Sequence, residues 1–165
     1  MLQQTQVKTV IPYFKSFVNK VPNLKALSKS NEKKILKLWE GLGYYSRAKN
    51  LHRTSKILVK KYDSQIPDSF EKLKELPGIG DYTANILLAL IYNRPRIGID
   101  GNVKRVLLRL FNLETKDPSN LFKTKRNGDL AEALMEFGAI ICKPKDPLCY
   151  KCLLKKNCLY YKSES

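Results

Sequence analysis

Leu76-Pro77-Gly78-Ile79-Gly80-Asp81-Tyr82-Thr83-Ala84 is the stretch that decides the fold. Two glycines flanking one apolar residue permit left-handed backbone values and a tight turn between helices. Ile79 is placed to plug that turn into a core. The run from Thr83 to Tyr92 is strongly apolar and reads as helix, ended by Pro95. The turn leaves N–H groups at the start of this second helix. Such groups can hold a phosphate, helped by the helix dipole. Alone, G-x-G is weak, and an ordinary helix–helix turn is the bland reading. Preceded by Leu-Pro and followed by Thr-Ala and an apolar helix, the signal is much more specific.

Working outward, helical periodicity dominates. Val7, Val10, Ile11, Phe14 and Phe17 recur at spacings of three and four, with Pro12 expected to break or kink that helix and Pro22 to stop it. Ser30 is expected to cap a second helix carrying Ile35, Leu36 and Trp39. Gly41-Leu42-Gly43 breaks the chain before a third with Ala48, Leu51, Ile57 and Leu58. Asp68 and Glu71 resemble a capping box for a short helix through Leu73 that ends at Pro77. Downstream, a helix starts after Asp100 with Val103, Val106, Leu107 and Leu110, and a last long one runs from Leu130 to Ile141. Lys116 to Gly128 is polar and broken, the best internal linker candidate. No strand alternation or useful repeat is visible, so the expected class is all-α.

The 165 residues carry 31 Lys and Arg against 15 Asp and Glu, a formal charge of +16, with 43% hydrophobic residues. This composition can bury a core under a strongly positive exterior, which points to a polyanion, with nucleic acid ahead of an anionic membrane surface or ribosomal RNA. No apolar run reaches the ~18 residues that a membrane helix needs. No charged region followed by an apolar one opens the chain, so neither a secretory signal nor a secreted disulfide scaffold is expected.

Cys142, Cys149, Cys152 and Cys158 are all the cysteines present, spaced C-x6-C-x2-C-x5-C. Clustering of this kind favours a metal centre over disulfides, because a metal removes the mutual repulsion of thiolates. Spacing alone leaves iron–sulfur and zinc open. Lys143, Lys145, Lys151, Lys155 and Lys156 make the loop cationic, fit either for a phosphate backbone or simply for solvent. Asp100 opens Ile99-Asp100-Gly101-Asn102-Val103-Lys104-Arg105, about 20 residues after the hairpin. By itself it reads as a helix N-cap. Met1-Leu2-Gln3-Gln4-Thr5-Gln6-Val7 places glutamines at a helix start, where they can reach base edges. Gly41-Leu42-Gly43-Tyr44-Tyr45-Ser46-Arg47 offers side chains that can wedge between bases. A polar helix end and packing aromatics are the plainer readings. His52, the one histidine, reads as surface or packing and not as a ligand.

Together these segments resemble the helix-hairpin-helix DNA glycosylase and endonuclease III superfamily, and look most like the adenine DNA glycosylases of the MutY type. Five motifs fall in the expected order over nearly the whole chain. The resemblance implies a 4Fe–4S cluster on Cys142, Cys149, Cys152 and Cys158. It implies a six-helix-barrel lobe with the hairpin over residues 1–93 and a cluster-bearing helical lobe over 94–165, with DNA gripped between them. It implies hydrolysis of the N-glycosidic bond of adenine mispaired with 8-oxoguanine or guanine, by a monofunctional, monomeric enzyme of the cytoplasm, associated with the nucleoid. Asp100 would stabilise or attack the sugar cation, Asn102 would orient the site and its water, and Tyr82 would hydrogen-bond to the same carboxylate or intermediate. Gln3, Gln4 and Tyr44 would fill or wedge the duplex, Gly78 and Gly80 would clamp a phosphate, Lys104 would lie near the opened sugar, and Glu132 would face the flipped adenine.

Two alternatives stand beside this reading. Endonuclease III-like lyases, which act on oxidised pyrimidines, carry a lysine where Tyr82 stands and usually threonine and histidine where Gly101 and Asn102 stand. A non-catalytic iron–sulfur DNA-binding module is the other. The family also places a general-acid glutamate just upstream of the M-L-Q-Q-T-Q motif and, in bacterial relatives, an 8-oxoguanine-sensing domain after the cluster. Neither falls within these 165 residues, so the sequence is expected to be a fragment or a mis-started chain, or else a reduced binding protein. Loss of one acid costs ~10²–10⁴-fold in rate.

Overall fold

The hairpin glycines do not do the same work. Gly78 holds φ +78°, and a Cβ there would stand 2.9 Å from Asn50, so both conformation and space demand glycine. Gly80 is extended, with φ −93° and ψ −178°, and meets nothing within 4 Å. Only the first glycine is required by the turn.

The chain is described here from a computed structural model covering residues 1–115 and 124–164. Among these residues every regular element is helical, and none is long and apolar enough to cross a membrane. The linker expected over Lys116 to Gly128 lies outside the described residues in its part 116–123, and its end is helical. The chain divides into two compact units, Met1–Ile79 and Gly80–Ser165. The division falls inside the hairpin, and the apolar helix that follows Gly80 packs against the helix Asn127–Ile140 within the second unit.

The first unit holds α1 (Val7–Lys20), α2 (Leu24–Lys29), α3 (Glu32–Leu38), α4 (Ser46–Lys61) and α5 (Phe70–Lys74). α4 packs on α2 and α3, and α1 on α3. Its core gathers Val10, Phe17, Val21, Leu27, Ile35, Trp39, Leu42 and Ala48. Phe17 meets Trp39 edge-on, with centroids 6.2 Å apart at 85°, a geometry worth ~0.5–1.5 kcal/mol beyond buried area. α1 does not break at Pro12. Proline removes one backbone donor, and the packing of Val10 and Phe17 on either side keeps the helix continuous. Two expected caps shift by one residue. Asn31, not Ser30, caps α3 by accepting from the Lys33 N–H at 2.8 Å, while Ser30 closes α2 and donates to the Ala26 carbonyl. Ser69, not Asp68, caps α5 and donates to Glu71 at 2.7 Å. α2, which the sequence reading passed over, starts on an Asn23 cap at 2.8 Å from the Ala26 N–H.

The second unit holds α6 (Asp81–Tyr92), α7 (Gly101–Phe111), α8 (Asn127–Ile140), two short 3₁₀ turns at Cys149–Lys151 and Lys155–Asn157, and α9 (Leu159–Glu164). α8 packs on both α6 and α7, and α9 on α7. The core centres on Ile97, Val103, Val106, Leu107, Leu110, Leu134 and Cys158. Asn93 latches α6 to α8. It ends α6 at φ +49°, accepts from the Asn127 N–H at 2.7 Å and the Gly128 N–H at 3.3 Å, and donates to the Lys125 carbonyl at 2.7 Å.

Candidate functional site

Asp100 divides its two oxygens between two tasks. Oδ1 caps α7, accepting from the Val103 N–H at 2.8 Å, and Oδ2 accepts from the Asn102 amide at 3.3 Å. The side chain is half-buried. The plain reading of Asp100 as an N-cap is therefore correct, and one oxygen remains turned away from that duty.

Tyr82, in the first turn of α6, stands in the same unit. Burial first, and the Asp100 charge second, raise its phenol above the ordinary value of 10.0, so its hydroxyl is protonated at neutral pH. That hydroxyl donates to Met135 Sδ of α8 at 3.1 Å. Gly98 lies beneath the ring, where a Cβ would come within 2.9 Å of Tyr82 and 2.4 Å of Ile86. Of α8, it is Met135 that reaches this group. Glu132 lies on the exposed side of the helix.

Two arginines of α7 complete the arrangement, and sequence reasoning missed both. Arg105 Nη2 donates to Asn102 Oδ1 at 2.8 Å and to the Gly138 carbonyl at 2.7 Å, while Nε donates to the Cys142 carbonyl at 2.8 Å. Asn102 thus has its carbonyl fixed by Arg105, which directs its amide toward Asp100. Arg109 donates to the Lys143 carbonyl at 2.6 Å and the Pro144 carbonyl at 3.0 Å, lies 3.5 Å from Cys142 Sγ and covers the Tyr160 ring at 4.7 Å. The available signal was their spacing: Asn102, Arg105 and Arg109 share one helix face. Gly138 was also missed. A Cβ there would stand 2.7 Å from Asn102 Cβ and 3.1 Å from the Asn102 backbone.

The four cysteines are free and line one solvent-open pocket, together with Arg109 and Tyr160. Burial, then the neighbouring Cys152, Cys158 and Cys142, push the Cys149 thiol up, opposed by Arg109. The thiols stand around the wall of this shared space. A soft, all-thiolate donor set surrounding a cavity fits a polynuclear cluster held at its corners.

In the first unit the expected DNA-facing residues sit on two loops. Gln3 and Gln4 are exposed on a turn that precedes α1, not within its first turn, and Gln4 holds φ +58°. Tyr44 is 63% exposed at φ +48°. Lys104 is exposed on α7 and pairs with Glu114 at 3.9 Å, a contact of little energy at such exposure. His52 is packing: it is buried, with no partner for either ring nitrogen.

Residues 1–128 match the family described as HhH-GPD superfamily base excision DNA repair protein. The chain is 42% identical over 171 residues to the adenine DNA glycosylase of Buchnera aphidicola subsp. Baizongia pistaciae, covering 98% of this chain and 49% of that protein. It is 37% identical over 172 residues to the Homo sapiens adenine DNA glycosylase, covering 96% and 31%. The Thermotoga maritima endonuclease III is 35% identical over 144 residues, covering 82% and 68%. The chain thus spans about half the length of the bacterial adenine DNA glycosylases it matches. Among solved structures, a non-covalent endonuclease III–DNA complex aligns with a TM-score of 0.82 at 23% identity, over 99% of this chain and 80% of that one. A thermostable thymine-DNA glycosylase aligns at 0.79 and 26%, over 98% and 80%. The fold is that of endonuclease III.

Proposed function

Since the chain belongs to the HhH-GPD superfamily of base excision DNA repair proteins, we propose that it is the core of a monofunctional adenine DNA glycosylase. Its substrate is adenine opposite 8-oxoguanine or guanine in duplex DNA. The observation that supports this is the half-buried Asp100, whose one oxygen is uncommitted to capping and is met by the Asn102 amide, together with a tyrosine, not a lysine, at position 82.

Breaking the N-glycosidic bond leaves positive charge on the sugar, as in other glycosyl transfers. Asp100 Oδ2 stabilises that charge or attacks the anomeric carbon, while Oδ1 stays on the Val103 N–H and keeps the group oriented. Asn102, held by Arg105, positions water beside it. Tyr82, whose hydroxyl rests on Met135 Sδ, would have to turn it to the carboxylate or intermediate and, being a phenol, offers no amine for a Schiff base. The adenine must leave the stack to be reached. Gln3, Gln4 and Tyr44 would fill the space it vacates or wedge the duplex, Glu132 would line the base pocket, and Lys104 would meet the backbone. Gly78 and Gly80 would let a phosphate approach the first turn of α6.

Cys142, Cys149, Cys152 and Cys158 would hold a 4Fe–4S cluster, which when bound ties the cysteine loop together. Anaerobically purified protein is expected to be brown with broad visible absorbance, whereas zinc would leave it colourless and be found by elemental analysis.

A second reading has its own observation, the 35% identity with an endonuclease III. One experiment separates the two. The chain, alone and joined to the flanking segments of a longer relative, is incubated with duplex holding adenine opposite 8-oxoguanine, and separately with oxidised thymine. Abasic sites without strand scission support the proposal. Strand cleavage at oxidised thymine supports the lyase. Binding without chemistry in either form leaves a DNA-binding module.

A further inference from the structure

The only two residues before α4 that are not glycine and hold a left-handed backbone, Gln4 and Tyr44, lie on loops about forty positions apart, and one side chain grips both loops. Arg47 Nη1 donates to the Met1 carbonyl at 2.8 Å and to the Gln3 carbonyl. Its Nη2 donates to the Leu42 carbonyl at 3.1 Å and the Gly43 carbonyl at 3.3 Å. The guanidinium lies 5.5 Å from the ring centroids of both Trp39 and Tyr44. Trp39 Nε1 also donates to the Gly43 carbonyl, at 3.2 Å, so the second loop is fixed from the core side too. We propose that Arg47 is a positioning residue that locks the Gln3–Gln4 turn and the Gly43–Tyr44 turn into one preformed element, so that both enter the duplex together. This rests on the proposed function for what the element engages, and on Arg47 alone for how it is built.

The chemistry is specific to arginine. Four carbonyls on two segments, approached from two nitrogens of one plane, match a planar fork and not an ammonium, which carries three donors at one point. A left-handed backbone at a side-chain-bearing residue costs ~1–3 kcal/mol and persists only where surroundings over-determine it. Here the surroundings are the arginine fork and the two rings. Without them both turns are free to relax to ordinary backbone values, and the ordering cost that preorganisation saves returns at the moment of DNA binding.

Two measurements on the full chain test this, with R47K and R47M. Hydrogen exchange comes first and involves no DNA: R47M, and R47K nearly as much, should lose protection in residues 2–6 and 42–46 together, with α4 unchanged. Unchanged exchange in both segments, or loss in one alone, overturns the clasp. The second uses duplex carrying adenine opposite 8-oxoguanine, with 2-aminopurine beside the adenine. Both variants should bind this duplex about tenfold or more weakly and lose most of the fluorescence rise that reports unstacking, while binding of undamaged duplex changes little. R47K as effective as Arg47 would reduce the residue to a charge and refute the proposal. A wild-type chain with no lesion preference would instead defeat the proposed function, leaving the exchange result to decide the clasp.

Discussion

Asp100 carries two roles that one pair of substitutions separates. Asparagine ranks with aspartate as an N-cap, so Asp100→Asn keeps an oxygen on the Val103 N–H and should change stability by no more than about 0.5 kcal/mol. Asp100→Ala loses that bond and should cost ~1 kcal/mol. Activity divides differently. A carboxylate about 4 Å from a developing sugar cation is worth ~4 kcal/mol at an effective dielectric of 20, or about 10³-fold in rate, and both substitutions remove it. Urea denaturation gives the stabilities, and single-turnover release of adenine gives the rates. The expected pattern is Asn stable and inactive, Ala less stable and equally inactive. If Asp100→Asn releases adenine as fast as the wild type, Asp100 is a cap and nothing more. The same reasoning fails if the rate losses of the two variants follow their stabilities.

Three further outcomes follow from the same unit. Gly138→Ala should cost ~1–3 kcal/mol, because its methyl would fall 2.7 Å from Asn102 Cβ, and should slow adenine release more than it weakens DNA binding; equal release rates at matched folding would count against tight packing beneath Asn102. Serine at Cys142, Cys149, Cys152 or Cys158 should each remove the broad visible absorbance, with the helices of Met1–Ile79 retained by circular dichroism; a variant that keeps full colour would exclude that cysteine as a ligand. The Tyr82 phenol should ionise above 10.0, read as the 295 nm difference between wild type and Tyr82→Phe, and Asp100→Asn should lower it only partly because burial is the larger cause. The sign for stability follows: the folded state holds this proton more tightly, so Tyr82's contribution is complete below the unfolded value and is lost as pH rises through the folded one.

What was legible in the sequence was what is local. The Leu76–Ala84 hairpin announces itself because Gly78 must adopt a positive φ within a few residues of two helices, and Asp100 announces a helix start because a cap bond spans three residues. Caps erred by one place where two capping residues stand side by side, as in Ser30-Asn31 and Asp68-Ser69, since each offers an oxygen and only the packed helix chooses. Pro12 does not break α1 because local propensity was set against tertiary packing, and packing won. Arg105 was hidden for another reason. Its partners Gly138 and Cys142 are 33 and 37 positions away, and no local pattern encodes a hydrogen bond to a distant backbone carbonyl. Arg47 is the same case, with Met1 46 positions away.

The cysteine loop shows how these distant bonds bear on a cofactor. Its start is tied to α7 by Arg105 on the Cys142 carbonyl and by Arg109 on Lys143 and Pro144. Its end is tied to the same helix, since Cys158 is buried in the core and, as a protonated thiol without the cofactor, donates to the Arg109 carbonyl at 3.3 Å. Between these anchors, Cys149 opens a 3₁₀ turn and Cys152 caps it, both half-buried, with backbone N–H bonds that reach only two or three residues. Cofactor removal should therefore loosen the loop from its middle outward: hydrogen exchange is expected to rise first over 149–156, while Leu148, tied to the Ile141 carbonyl, the 142–144 backbone and Cys158 stay protected for as long as α7 does. Early exposure of Cys142 or Cys158 instead would mean that the cluster, and not the two arginines, holds the loop to its helix.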